Sequence, residues 1–423
     1  MDALNKNEYL KILKNQLNLL SFIPEDNFDS IVEKFKNIDV IGFDIDFTLS
    51  LYNKKNMIKL MYESICKYLI NQKKYPNGIK YQYNKDFIHS FSQKGFVIDY
   101  NNGNSLKLRK DKSIIKCYHG KKELNRREIN SIYEDGIFHL FKKGSLINES
   151  FFINIDEFHS QNLPLFMICV DILDKGKLKS INDYKDIILH ICEAMNYNFG
   201  VKAFEDFSNF GYYFPEIFKN PEIYLSKNNY GKLLSKLREK GKKLFFATNS
   251  NYSYSNFILE KTIGKDYDKY FDLCFYKSGK PFFFQEPNER NEIEAKCFFV
   301  DETEFSYIDL TDEIYQKILN GNKKISGGSY ILVEKFFKKM LKKDNIGYIF
   351  VGDNIISDCE AASKLLKWDS VFIYDDIKLE FIDYKNLTDD EKDKYSNTYS
   401  LYFENKDCLF AIPNIEGLKH LFS

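Results

Sequence analysis

Short apolar runs bounded by acids, amides or glycine recur along the second half of the chain and once near its start. Residues 38–43, 243–247, 271–276, 348–351 and 371–374 have the length and the β-branched and aromatic content of buried strands. Helical spacing of apolar residues marks 230–240 (Leu233, Leu234, Leu237) and 358–367 (Ala361, Ala362, Leu365, Leu366). It also marks 9–36, through Leu10, Leu13, Leu17, Leu20, Ile31 and Phe35, with a break at Pro24. Short apolar strands alternating with helices predict a parallel sheet covered on both faces.

The stretch from about 60 to 225 has a different texture. Residues 96–100, then Asn101-Asn102-Gly103, then 106–108 spell a hairpin whose turn needs positive φ. Residues 181–196 look helical. The predicted class is therefore α/β, a Rossmann-like parallel-sheet core with an inserted α+β cap domain. The expected organisation is an N-terminal helical segment at 1–36, a core at 37–62 and 226–423, and the cap at 63–225. The charged, turn-prone 377–407 reads as an exposed excursion.

At 423 residues and 44% hydrophobic the chain can bury a large core. Lys and Arg number 61, as do Asp and Glu, so the net charge is zero. A surface built for nucleic acid or an anionic membrane needs a positive field, so neither partner is expected. No run of 18 apolar residues occurs, and the start lacks the apolar stretch of a secretory signal. A cytoplasmic location is the expectation. Eight cysteines are scattered without C-x-x-C spacing, which predicts reduced, small hydrophobic residues and no zinc site or disulfide framework.

The chemistry lies where the predicted strands end. The first ends at Asp44, Asp46 and Thr48, the second at Thr248-Asn249-Ser250. Lys280 follows the third, and the fourth ends at Asp353, with Asp358 five residues on. Ligands of open α/β sheets bind beyond the carboxyl ends of the strands, so these residues converge on one crevice. A phosphate monoester dianion repels nucleophiles, and its hydrolysis requires charge neutralisation. Clustered carboxylates repel each other unless they hold a hard cation, and Mg²⁺ prefers oxygen ligands. A carboxylate left to attack phosphorus gives an aspartyl-phosphate. A second, two residues later on an extended segment, returns to the same face for acid–base work on the leaving oxygen.

In these residues the chain resembles the haloacid dehalogenase superfamily of phosphohydrolases. Its four-part signature is D-x-D-x-T, a strand-end Thr or Ser, a Lys, and G-D-x-x-x-x-D. Four segments are further similar to the cytosolic purine 5′-nucleotidases that prefer IMP and GMP. They are Ile41 to Leu49, Ala247 to Tyr254, Gly279 to Phe284 and Gly327-Gly328-Ser329, while Phe96 to Gly120 is similar to the start of that family's cap. The fourth motif departs from the relatives at Asn354 (commonly His) and Ser357 (commonly Gly), and Asp369 stands where Arg is common.

The resemblance implies Asp44 as nucleophile, Asp46 as general acid/base and Lys280 as the compensating cation. It implies Mg²⁺ held by Asp44, the Asp46 carbonyl and Asp353, with Asp358 supporting them. Thr248, Asn249 and Lys280 would bind phosphate. Thr48 and Ser250 are read either as part of that phosphate-binding loop or as simple turn hydroxyls. In the cap, Lys202 and Asp206 fall where the family recognises the nucleotide, although an ordinary surface ion pair four residues apart is the simpler reading. His119 is either a lining of the nucleobase pocket or a loop or core histidine. The implied activity is Mg²⁺-dependent hydrolysis of purine nucleoside monophosphates, with phosphotransfer to nucleosides as a side reaction, in a homo-oligomer (dimer or tetramer). A phosphatase for another phosphomonoester, or a silent nucleotide-sensing protein, are the alternatives.

Overall fold

Apolar runs buried on both faces need a sheet sandwiched between helices, and the chain builds one. The computed structural model describes residues 33–374 and 408–420, apart from 93, 110, 141–149, 155, 179–180, 182, 287–295, 302 and 413. Most of the predicted helix 9–36, and all of 377–407, lie outside the described residues. The first strands are β1 (Val40–Phe43), β2 (Leu51–Tyr52), β3 (Val97–Asp99), β4 (Asn104–Leu108), β5 (Ile114–His119), β6 (Lys122–Glu123), β7 (Phe151–Ile153) and β8 (Leu225–Ser226). Then come β9 (Lys243–Ala247), β10 (Leu273–Tyr276), β11 (Lys296–Phe299), β12 (Glu304–Ser306), β13 (Lys324–Gly327), β14 (Tyr348–Gly352), β15 (Asp369–Ile373) and β16 (Phe410–Ile412).

The chain divides into two compact units, one holding the described residues of 33–52, 225–374 and 408–420, the other those of 53–224. The sequence reading sets the first junction at 62/63. The helix Lys54–Lys73 runs unbroken from its Asn53 cap, so the junction falls at Tyr52.

The first unit carries a nine-stranded sheet in the order β12-β11-β13-β10-β9-β1-β14-β15-β16. All neighbours from β13 to β16 are parallel, and β11 and β12 add an antiparallel edge. The segment β10-β9-β1-β14-β15 has the Rossmann-like order, and its direction reverses between β1 and β14. Val40 of β1 is paired to Lys243 on one side and Tyr348 on the other, which brings the ends of β1, β9 and β14 to one level. Phe245, Phe275, Phe350, Phe337 and Trp368 pack together as one face of the core. Gly42 is required in β1: a Cβ there would lie 2.4 Å from the Phe245 ring and 2.6 Å from that of Phe350.

In the second unit an antiparallel sheet, β6-β5-β4-β3-β7, accompanies helices Lys54–Lys73, Asn162–Asp174 and Tyr184–Phe199 around their own core. The predicted hairpin is β3–β4, with Asp99 opposite Asn104 and Gly103 at φ +67°. The helix foreseen at 181–196 starts at Tyr184 because the Asp183 side chain caps it by accepting from the Asp186 amide. All eight cysteines are free thiols, and all but Cys192 are buried. Among the described residues no helix is long and apolar enough to cross a membrane.

Candidate active site

At the end of β1 the chain turns sharply. The Asp44 amide still donates to Val351 O of β14 (2.8 Å), and then the amides of Thr48, Leu49 and Ser50 all converge on Ile45 O. Phe47 takes φ +55° within this turn, an uncommon conformation for a non-glycine residue. The turn presents Asp44 and Asp46 side by side, both buried. At the end of β14, Asp353 precedes a widened, π-type turn over Ile355–Glu360 that carries Asp358 inward. β1 and β14 flank the point where strand order reverses, and both deliver acids there.

Lys280 ties these acids together. Its Nζ lies 2.6 Å from Asp44 Oδ1 and 2.6 Å from Asp358 Oδ1, and 5.2 Å from the centre of the Phe350 ring. Asp358 Oδ2 also accepts from the Asn354 amide at 3.1 Å. Burial opposes the charge on Lys280, but Asp358 and Asp44 outweigh it and hold the ammonium above its ordinary value. Burial raises Asp358 to about 6, against the lowering influence of Lys280, and raises Asp44 against the same cation.

Asp46 has a separate environment. Its Oδ1 accepts from the Tyr52 hydroxyl (2.6 Å) and its Oδ2 from the Ser250 hydroxyl (3.0 Å). Burial lifts its pKa, and the two hydroxyls only partly offset that. A carboxyl raised in this way is suited to carrying a proton.

The 248–250 segment and the Lys280 loop are bonded along their backbones. Lys277 N donates to Ser250 O (2.9 Å), and Ser278 N donates to Thr248 O (2.9 Å). Asn249 closes the clamp: its Oδ1 accepts from Lys280 N (2.7 Å) and its Nδ2 donates to Lys280 O (2.9 Å). Gly279, at φ +70°, makes the turn that allows this, and a cis peptide joins Lys280 to Pro281.

Several expected side chains do other work than the sequence implied. Asn249, expected on phosphate, holds the Lys280 backbone with its amide. Ser250 is directed to Asp46. Thr248 is buried, and its hydroxyl accepts from Ser250 N (3.2 Å). Thr48 is fully buried, and its hydroxyl has no hydrogen-bond partner among the described residues, so the turn is held by backbone amides instead. Tyr52 and Tyr254 were missed; only their proximity to the motifs could have flagged them.

The cap candidates in the second unit do not form one site. Lys202 Nζ sits 4.4 Å from the centre of the Phe210 ring, and Asp206 Oδ1 accepts from Asn209 Nδ2 (2.8 Å). The ion pair expected between them is not formed: Asp206, at the C-cap of the short helix Val201–Glu205, is bonded to Asn209 instead. His119 joins a polar network, with Nδ1 2.8 Å from Asn104 Oδ1 and Nε2 3.0 Å from Asp174 Oδ2. Gly120 follows because a Cβ there would collide with the Asp171 carboxylate at 1.9 Å.

The donor set can be tested against a hard cation. Asp44, Asp353 and Asp358 each offer a buried carboxylate oxygen, all within 4.8 Å of one another. With Asp46, four buried carboxylates gather near the Lys280 ammonium, so among the described residues the fully ionised site has an excess of negative charge. An all-oxygen site of that charge fits Mg²⁺.

Comparison with known proteins agrees with this picture. A model of the 5′ nucleotidase family matches residues 32–404. The chain is 26% identical over 353 residues to human 5′-nucleotidase domain-containing protein 1, covering 80% of this chain and 72% of that one. It is also 26% identical over 357 residues to the bovine protein of the same name, covering 80% and 73%. A solved Bacillus subtilis HAD-hydrolase bound to magnesium aligns over 91% of this chain and 99% of its own, at 12% identity and a TM-score of 0.28, too slight a likeness to build on. The match across most of the length, with the acids and the lysine gathered at the ends of the central strands, establishes that the chain belongs to the 5′ nucleotidase family, enzymes that hydrolyse nucleotide phosphomonoesters.

Proposed function

We propose that the protein hydrolyses purine nucleoside 5′-monophosphates of the IMP and GMP type through an aspartyl-phosphate on Asp44. The observation that carries the aspartyl-phosphate chemistry is the pairing of Lys280 with Asp44 and Asp358 beside a separately held Asp46, and the purine preference rests on the resemblance of the motif segments. Asp44 attacks phosphorus, the bond to the 5′-oxygen breaks, and Asp46 gives that oxygen its proton. A water then attacks phosphorus and yields a proton to Asp46, which restores the Asp44 carboxylate and releases phosphate. Lys280 offsets charge on the transferring group, and Thr248 and Asn249, the latter through its backbone, would bind the phosphate oxygens. Bound by Asp44, the Asp46 carbonyl and Asp353, Mg²⁺ would supply electrostatic stabilisation of the phosphoryl oxygens. Asp358, paired to Lys280, orients that lysine and adds to the same negative field. Transfer to a nucleoside hydroxyl in place of water is the expected side reaction.

The test is phosphate release from a panel of 5′-mononucleotides and sugar phosphates with Mg²⁺. Asp44→Asn is expected to lose activity on the order of 10⁴-fold. Chelation should abolish turnover of the wild type, and added Mg²⁺ should restore it. A mutant as active as wild type would remove Asp44 as nucleophile. Sugar phosphates turned over far faster than IMP and GMP would remove the purine preference and leave the mechanism standing. The same reading places the enzyme in the cytoplasm as a dimer or tetramer; light scattering from a monomer would overturn the latter.

A further inference from the structure

Asp46 must present a proton to the leaving oxygen at a defined angle, and two hydroxyls donate to it, with a third behind one of them. Tyr52 has one O–H, and it donates to Asp46 Oδ1 at 2.6 Å. The Tyr254 hydroxyl lies 3.0 Å from the Tyr52 oxygen. With the Tyr52 proton already committed, Tyr254 is the donor of that second bond. The chain therefore runs in one direction, Tyr254 to Tyr52 to Asp46, while Ser250 occupies the other carboxyl oxygen.

Each member is held from elsewhere. Tyr52 sits in β2, paired to Leu225 of β8, with its ring 4.8 Å from that of Phe47. Tyr254 is in the first turn of the helix Tyr252–Thr262, where Asn251 Oδ1 accepts from its amide at 3.0 Å, and it is almost wholly buried. Phe47, at φ +55°, reverses the chain so that Tyr52 can reach back to a carboxyl six residues earlier.

We infer that Tyr52 and Tyr254 are positioning residues for the leaving-group step: their hydroxyl relay fixes the plane of the Asp46 carboxyl so that its proton meets the departing 5′-oxygen. This rests on the reading of Asp46 as general acid. It predicts a dependence on the leaving group. A nucleoside alkoxide needs the proton, whereas p-nitrophenolate departs without one.

The experiment compares single-turnover release of nucleoside from IMP and of p-nitrophenol from p-nitrophenyl phosphate, which reads the first step apart from the hydrolysis of the phosphoenzyme that both substrates share. It is run on wild type, Tyr52→Phe, Tyr254→Phe and Asp46→Asn, each checked for folding by its thermal melt. Tyr52→Phe is expected to lower the first-step rate for IMP by about 10-fold with binding nearly unchanged, a fraction of the acceleration a general acid contributes, and to spare that step for p-nitrophenyl phosphate. Tyr254→Phe, which reaches Asp46 only through Tyr52, is expected to act in the same sense by about 3-fold, the size of one modest hydrogen bond. Asp46→Asn fixes the signature of a lost acid. Equal losses on both substrates, or no loss on IMP, in tyrosine variants that fold while Asp46→Asn shows the signature, would overturn the relay. If Asp46→Asn penalises both substrates alike, the general-acid reading itself fails, and the relay with it.

Discussion

Lys280 reaches two carboxylates at once because Asn249 grips its backbone from both sides, accepting from its amide and donating to its carbonyl. Replacing Asn249 by Ala removes both bonds and leaves Nζ where it is only through its ion pairs. A displacement of about 1 Å in such a group costs on the order of 10²-fold, so steady-state kinetics of Asn249→Ala should show a loss of that size in kcat. A variant within a factor of about three of wild type would mean that the ion pairs alone position Lys280. Asp44, Asp46, Lys280, Asp353 and Asp358 were legible in the sequence because strand-end acids and a lysine carry their meaning in type and order. The tasks of Asn249 and Ser250 were not, because a short polar side chain serves phosphate, backbone or carboxylate equally well until its neighbours are placed. Tyr52 and Tyr254 lie beside the motifs, but among 30 tyrosines that nearness alone does not give their task.

The central strand β1 is narrow where it must be. Gly42 faces the rings of Phe245 and Phe350, whose centroids are 6.0 Å apart, and even a methyl group has no space there. Gly42→Ala should therefore destabilise by about 1–3 kcal/mol through overpacking, read as a lower denaturant midpoint with an unchanged slope. An unaltered midpoint would show that the two rings can move aside. Strands β1, β9, β10, β14 and β15 announced themselves as unbroken apolar runs, since both their faces are covered. Strands β11, β12 and β13 did not: Lys296–Phe299 alternates exposed and buried positions, and Lys324–Gly327 is short and half polar. Their pairing comes from the sheet they join, which local composition does not encode.

At the scale of the molecule, one ion pair ties the stability of the second unit to pH. In the second, His159 Nδ1 lies 2.6 Å from Asp156 Oδ1. Burial alone would lower the imidazole pKa, but the Asp156 carboxylate outweighs it and raises the value above its ordinary 6.5. The same contact, against burial, brings Asp156 below its ordinary 3.8. A histidine that holds its proton more tightly when folded stabilises below its unfolded pKa and loses that contribution as pH rises through the folded one; the depressed aspartate loses its own as pH falls. The pair thus works between the carboxylate range and neutrality. Thermal melts of wild type and His159→Gln should differ most near pH 6, about the ordinary histidine value, and converge as the solution becomes alkaline. A difference that grew with pH would reverse the assignment. The existence of an inserted unit was legible from the change in texture after residue 60, but its first junction was not, because the apolar spacing of Lys54–Lys73 reads the same in either unit.

The pairing of β2 with β8, Leu51 opposite Ser226 and Tyr52 opposite Leu225, joins the places where the chain departs for the second unit and returns from it. An excursion whose two ends are already neighbours behaves as a cassette. Lengthening, trimming or exchanging what lies between them changes the closure entropy only with the logarithm of its length. The catalytic half can therefore keep its register while the intervening piece is rewritten, so a lineage could trade one phosphate ester for another without rebuilding the machinery that cleaves it.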